Sequence, residues 1–131
     1  DRRCRATAVE PRTDRAARIR ANAAAFGVPG LDVVEGAAPE ALAAIESADA
    51  VFVGGGLSRP GVLAAALALV RPGGRLVANA VTLETERVLL SAHNEHGGRL
   101  IRIAIDRAAP LAGMTGWEPA RPVLQWSWAK P

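Results

Sequence analysis

Up to about residue 100, short apolar runs alternate with segments of helical period. That rhythm admits few folds, because it is the pattern of a parallel sheet whose crossover connections are helices. Cys4 to Val9 ("CRATAV") reads as a strand closing on Glu10. Pro11 and Arg12 make a turn, and Thr13 or Asp14 is placed to cap a helix. Ala16, Ile19, Ala23 and Phe26 share one face of that helix, and Gly27 is its expected C-terminal stop. "LDVVEG" (Leu31 to Gly36) predicts a second strand and "PEALAAIES" a short helix. "DAVFVGGG" predicts a third strand, apolar throughout and so expected to be covered on both faces. Ser58 is expected to cap the next helix, with Pro60 in its first turn and "VLAAALALV" carrying it to Arg71. "RPGGRLVANAV" gives a stop and a fourth strand, and from Thr82 a helix runs to Gly97 and Gly98. "RLIRIAIDRA" and "RPVLQWSWAK" predict two last strands around a long loop holding Gly113, Gly116 and Trp117. Two strands with no helix between them break the rhythm. An antiparallel strand added at one edge would account for it.

The length, 131 residues, suits one domain. No apolar run approaches the roughly 18 residues of a membrane span, so no membrane partner is expected. Cys4 is the lone cysteine, which fits a reducing, cytoplasmic setting. The net charge is +3, and Lys130 is the only lysine among the basic residues. Arginine suits bidentate recognition of carboxylates and phosphates, although arginines scattered in this way equally reflect compositional bias. Aromatics are only 4% and no basic stripe is present, which argues against a nucleic-acid partner.

The glycines Gly54, Gly55 and Gly56 follow an apolar strand, as phosphate-cradling glycines do. A dinucleotide fingerprint needs G-x-G-x-x-G, yet from Gly54 the sixth position is Arg59. The P-loop pattern fails as well, for want of a following Gly-Lys-Ser/Thr. Such glycines still let a ligand press on the backbone at the C-terminal end of a strand. Glu10 closes another strand and can accept hydrogen bonds from both hydroxyls of a ribose. With the "GAAPE" turn (Gly36 to Glu40), three strand ends present candidate groups for a nucleoside-bearing ligand.

"AVEPRTDRAARIRANAAAFGV", "VVEGAAPEAL", "DAVFVGGG" and "PGGRLVANAVTLETE", in this order, resemble the precorrin methyltransferases of cobalamin (vitamin B12) biosynthesis. The likeness is to their C15-methylating, decarboxylating domains, found in precorrin-6Y C5,15-methyltransferases and in stand-alone cobalt-precorrin counterparts. "APLAGMTGWEPARPVLQW" is similar to the tail of that family. The resemblance implies an α/β, Rossmann-like fold of the class I S-adenosylmethionine-dependent methyltransferases, mostly parallel with an antiparallel C-terminal strand. It implies S-adenosyl-L-methionine as cofactor, a tetrapyrrole (precorrin) substrate and a homo-oligomer, a tetramer by family. On the same basis Glu10 binds the ribose, and Gly36, Ala37 and Ala38 border the adenine. Gly54 and Gly55 lie beside the methionine end, and Gly56, Asn79, Thr82 and Glu84 face the methyl acceptor. The glycines would then border a sulfonium donor and a bulky ring, with no phosphate involved.

Two departures stand out. Ala37 occupies a position where the family usually shows an acid, which moves an adenine contact to the backbone. The glycine-rich turn after the family's first, central strand is absent too, so residues 1–131 are expected to be a domain incomplete at its N-terminus. At least one βα unit, roughly 30 residues, would precede Asp1, since without it backbone groups in mid-sheet go unpaired.

Among the remaining candidates, Arg59 is best placed to bind an acceptor carboxylate, or is a solvated helix-start residue. Glu84 and Thr82 are the candidates for catalytic assistance, and Glu84 also suits a helix first turn on electrostatic grounds. His93 and His96 share a helix face, but no Cys or carboxylate cluster completes a metal site, and a structural role is expected. Trp126 and Trp128, with Leu124, fall on one face of the last strand and suit a core or a subunit contact. Two other functions fit the pattern: an NAD(P)-dependent oxidoreductase, and a partner-binding module without a cofactor.

Overall fold

The computed structural model describes residues 4–131; the join expected before Asp1 lies outside them. Its strands are β1 (Thr7–Glu10), β2 (Asp32–Glu35), β3 (Ala48–Val53), β4 (Val70–Ala80), β5 (Arg99–Ile103), β6 (Asp106–Leu111), β7 (Met114–Pro119) and β8 (Val123–Ala129). Its helices are α1 (Thr13–Ala25), α2 (Val62–Leu69) and α3 (Leu83–His96). They form two compact units, one reaching to Glu46 and the other Ser47–Pro131.

In the first unit β1 and β2 run parallel, in register from Thr7↔Asp32 to Glu10↔Glu35, and α1 packs on both. The helix buries two small residues, Ala16 and Ala23. Phe26, expected on the same stripe, is 82% exposed. The helix has ended at Ala25, and Phe26 is the C-cap residue at φ −87°, ψ 6°, off the helical period. Gly27 follows at φ +71°, as a helix stop should. At the other end neither Thr13 nor Asp14 caps the helix. Arg12 is the N-cap residue and provides no side-chain cap; its own N–H donates to Glu10 Oε1 at 3.0 Å. The Arg12 guanidinium grips Asp14 at 2.9 and 3.0 Å, and that contact holds the Asp14 carboxyl below its ordinary range. Arg20 ties α1 to β2 through Glu35 at 2.6 Å. The "PEALAAIES" helix is reduced to a 3-10 segment, Glu40–Ala44.

In the second unit the sheet order is β3-β4-β8-β5. β3 and β4 are parallel, and β8 is antiparallel to both β4 and β5. The antiparallel strand is therefore inserted within the sheet, where an edge position was expected. α2 packs on β3 and β4, and α3 on β4 and β8. Strand alternation divides β4 cleanly. Leu76, Ala78 and Ala80 are buried, as are Leu124 and Trp126 of β8, whereas Arg75, Val77 and Asn79 are not. Phe52 stands opposite Val77 in the register and is 66% exposed. β3 is thus not covered on both faces, and among the described residues one edge of β3 and one edge of β1 carry no strand partner.

Trp126 is fully buried, donates Nε1–H to Gly97 O at 2.9 Å and stacks near Trp128, with centroids 6.2 Å apart. It belongs to the core of its own unit, so a subunit contact is not its role. α2 starts later than expected. Gly61 at φ +83° is its N-cap residue, and that left-handed conformation keeps Ser58 and Pro60 outside the helix. The helix ends at Leu69, where Lys130 Nζ donates to Val70 O (2.7 Å) and Leu67 O (3.3 Å). The expected long loop is in fact the hairpin β6–β7, closed by Ala112 (φ +49°) and Gly113 (φ +80°). A two-residue turn with both φ positive matches the twist of the strands it joins.

Trp126→Ala should lower the stability of the second unit by roughly 3–5 kcal/mol, read from urea unfolding, with Trp126→Phe losing less. Asp14, followed by NMR, should titrate below the ordinary aspartate value and move back towards it in Arg12→Ala. Because the folded pKa is the lower one, its stabilisation is complete above the unfolded value and fades as pH falls through the folded one.

Candidate functional site

The candidates gather at the C-terminal ends of parallel strands, where open α/β sheets bind ligands. In the first unit, Glu10 and Glu35 end β1 and β2 side by side. The Gly36 N–H continues the pairing to Glu10 O at 3.2 Å. Arg12 occupies Glu10 Oε1, while Oε2 has no protein partner among the described residues. No buried side-chain oxygen or nitrogen among those residues lacks a partner, so Oε2 faces solvent and can accept from a ligand hydroxyl. A Cβ at Gly36 would come within 3.0 Å of Ala41 Cβ. Glycine there lets the turn fold back onto the 3-10 segment, whose Ala41 N–H bonds Ala37 O. Ala38 precedes Pro39 through a cis peptide. Glu10, Gly36, Ala37 and Ala38 are thus brought to one end of this unit's sheet.

In the second unit β3 ends at Val53 and runs into the three glycines, which the structure sets apart from one another. A Cβ on Gly54 would meet the Phe52 ring at 3.1 Å, and Gly56 has φ +82°. Gly55 has neither constraint: open space surrounds its missing Cβ and its φ is not left-handed. Arg59, exposed, follows the loop, with its N–H on Gly56 O at 3.0 Å.

Asn79 is the penultimate residue of β4, one beyond the pair Val53↔Ala78. Its Oδ1 accepts from Gln125 Nε2 at 3.0 Å. Thr82 is engaged structurally as the N-cap residue of α3, its Oγ1 accepting from Thr85 N–H at 3.4 Å and lying 3.1 Å from Thr85 Oγ1. Glu84 is exposed in the first turn of α3, where a carboxylate suits the helix dipole. Gly54, Gly55, Gly56, Asn79, Thr82 and Glu84 therefore share one end of this sheet. Gln125, the hydrogen-bond partner of Asn79, is not marked out by the sequence.

His93 Nδ1 lies 3.2 Å from Gly97 O, and the His96 ring is 5.9 Å from that of Trp128. Both make contacts within the fold, and no group of three metal-ligating side chains occurs among the described residues. A groove of about 380 Å³ between α2 and α3 is lined by Leu63, Arg87, Val88, Ser91, Ala92 and Glu95, none of them a site candidate.

Comparison with solved structures identifies the fold. An O-methyltransferase, TomG of Streptomyces achromogenes, crystallised with S-adenosylmethionine, superimposes with a TM-score of 0.64 at 20% identity, over 97% of this chain and 62% of that one. The fold is that of the class I S-adenosylmethionine-dependent methyltransferases. The C-terminal domain of precorrin-6Y C5,15-methyltransferase from Rhodobacter capsulatus superimposes with a TM-score of 0.88 at 46% identity, over 96% of this chain and 68% of that one. Precorrin-6Y C(5,15)-methyltransferase [decarboxylating] of Sinorhizobium sp is 59% identical over 125 residues, 95% of this chain and 30% of that protein. Residues 1–130 match the family described as the precorrin methyltransferase domain, and the chain belongs to that family. It spans about a third of the length of curated relatives that it matches, 30% and 32% in two of them.

Thr82→Ala should cost about 1 kcal/mol through loss of the N-cap, measurable by thermal unfolding, and Thr82→Ser should retain most of it.

Proposed function

We propose that the chain is the C15-methylating, decarboxylating domain of a precorrin C5,15-methyltransferase, acting in cobalamin biosynthesis. The 59% identity to a decarboxylating relative across 95% of the chain carries this proposal, and the strand ends supply groups that suit it. S-adenosyl-L-methionine, when bound, provides a methyl group on a sulfonium. The residues present fit it: Glu10 offers an open carboxylate oxygen for the ribose hydroxyls, and Gly55 offers unobstructed backbone. Gly36, Ala37 and Ala38 would border the adenine, and Gly54 would border the methionine end. Gly56, Arg59, Asn79 and Thr82 would face the precorrin, whose carboxylates suit Arg59.

Methyl transfer from a sulfonium asks for alignment more than for acid–base help, so the chain's contribution is to hold the acceptor carbon in line. Loss of the acetate carboxyl can draw on the ring as electron sink, and no residue is assigned to it. Glu84 is the better candidate proton carrier, since the Thr82 hydroxyl is engaged in capping. A homo-oligomer is proposed as well. Its contacts would come from exposed apolar groups such as Leu111, Met114 and Trp117 on the β6–β7 hairpin, because β8 is internal to its sheet.

Titration calorimetry of the full-length protein with S-adenosylhomocysteine, and in parallel with NADH, tests the cofactor. Micromolar binding of the former alone is expected, weakened at least tenfold in Glu10→Ala. Gly55→Ala should leave the melting temperature unchanged, since a Cβ there meets nothing, yet weaken binding roughly tenfold if the ligand presses on that backbone. Binding of NADH, or of neither compound, would sink the methyltransferase proposal in favour of an oxidoreductase or a partner-binding module.

A further inference from the structure

The α3-facing side of the second unit's sheet carries a charge where its neighbours are apolar. Leu76, Ala78 and Ala80 of β4 lie buried there, as do Leu124 and Trp126 of β8. The register sets Leu100 of β5 beside Trp126 and Arg102 beside Leu124, so strand alternation sends the Arg102 side chain to the same side. α3 answers with an acid, Glu86, three positions before buried Leu89 and so on a neighbouring part of the same helix face. Arg102 Nη2–H donates to Glu86 Oε2 at 2.9 Å. The Glu86 side chain is 14% exposed and the Arg102 side chain 56%.

As a tie between a strand and a helix, such a pair is a poor choice. The attraction is largely offset by the cost of drawing the charges out of water, and apolar residues of similar size would hold the two elements about as well. What the pair does achieve is to stand a guanidinium at a defined place. Glu86 takes one of its five N–H donors, and none of the others meets a described residue. Leu124 pairs with Arg102 on one flank and with Ala80 on the other, so Arg102 stands level with the last residue of β4. β4 and β5 are both antiparallel to β8 and therefore run the same way. Arg102 is thus at the sheet end that holds the glycine loop, Asn79 and Thr82. Glu86 is one helical turn from Thr82, its N–H on Thr82 O at 2.8 Å.

A ring with carboxylates around its edge calls for cations on more than one side of the site. Arg59 follows β3, and β3 and β5 are the outermost strands of this sheet among the described residues. Three strand spacings, roughly 14 Å, separate them. We propose that Arg102 is an acceptor-binding residue: its guanidinium, braced on α3 by Glu86, takes a carboxylate of the methyl acceptor through a two-pronged bond, on the side of the site opposite Arg59. The proposal rests on the methyltransferase assignment above. Bracing matters because an arginine already partly held loses less freedom when the ligand arrives.

Arg102→Gln removes the charge, whereas Arg102→Lys keeps the charge and loses the planar fork. Arg99 supplies the control. It is exposed at the start of the same strand, on the opposite face of the sheet, so Arg99→Gln removes an equal charge far from the proposed contact. The full-length protein and the three variants would be titrated with uroporphyrin I, a polycarboxylated tetrapyrrole, and with S-adenosylhomocysteine, and their melting temperatures recorded. Arg102→Gln should bind the porphyrin about tenfold more weakly, and Arg102→Lys should also weaken it at an unchanged melting temperature. S-adenosylhomocysteine affinity should hold in both, and Arg99→Gln should match the wild type throughout. A merely structural pair would lower the melting temperature and both affinities together in the two Arg102 variants, and that result would overturn the proposal. Wild-type porphyrin binding in Arg102→Lys, or an equal loss in Arg99→Gln, would overturn it as well. So would a wild type that binds S-adenosylhomocysteine and no porphyrin; each of these results leaves the methyltransferase assignment standing. A wild type that does not bind S-adenosylhomocysteine would remove that assignment, and the proposal with it.

Discussion

The second unit depends on where Trp126 is held. Its indole is wholly enclosed, and its single polar atom meets Gly97 O just beyond α3. A buried Trp of this kind contributes a large apolar area and demands one partner for its N–H. Meeting both conditions fixes β8 against β4 and β5 on its flanks and against α3 above. The register that follows, Leu76↔Trp128 through Ala80↔Leu124, decides which side chains of β4 are enclosed and which are presented. Asn79 is among the presented ones because Ala78 and Ala80 are enclosed.

Much of this architecture is legible in the sequence because it comes from local chemistry. The period of α3, its Thr82 cap and its double-glycine stop are all readable along the chain, and so are the strand ends at Glu10 and Gly54. The errors fall where tertiary context decides. The β6–β7 hairpin passes for a loop because its turn is Ala112-Gly113, where Asn-Gly would have announced it. The start of α2 is misread because Ser58 and Pro60 look like a helix entry, while the left-handed Gly61 sets the boundary. An antiparallel last strand is readable from the missing crossover helix. Its insertion between β4 and β5 is not, because only the packing of Trp126 selects that slot.

The candidate site divides in the same way. Glu10 and the glycines announce themselves through residue type at strand ends. Gln125 lies 46 positions from Asn79, and nothing in either neighbourhood links them until the register does. The three glycines, alike in sequence, separate once their surroundings are known. Gly54 makes room for the Phe52 ring, Gly56 supplies a left-handed turn, and Gly55 alone is left over by the fold.

Lys130 carries the chain's only ε-amine, and that amine is spent on the carbonyls that end α2. Its own backbone is paired with Gly73 and Gly74 as well. Acylating or carbamylating reagents therefore meet a surface rich in guanidinium and poor in nucleophilic nitrogen. Modification at this amine competes with its hydrogen bonds to the end of α2, so its rate of acylation would act as a clock for how often that corner of the molecule loosens.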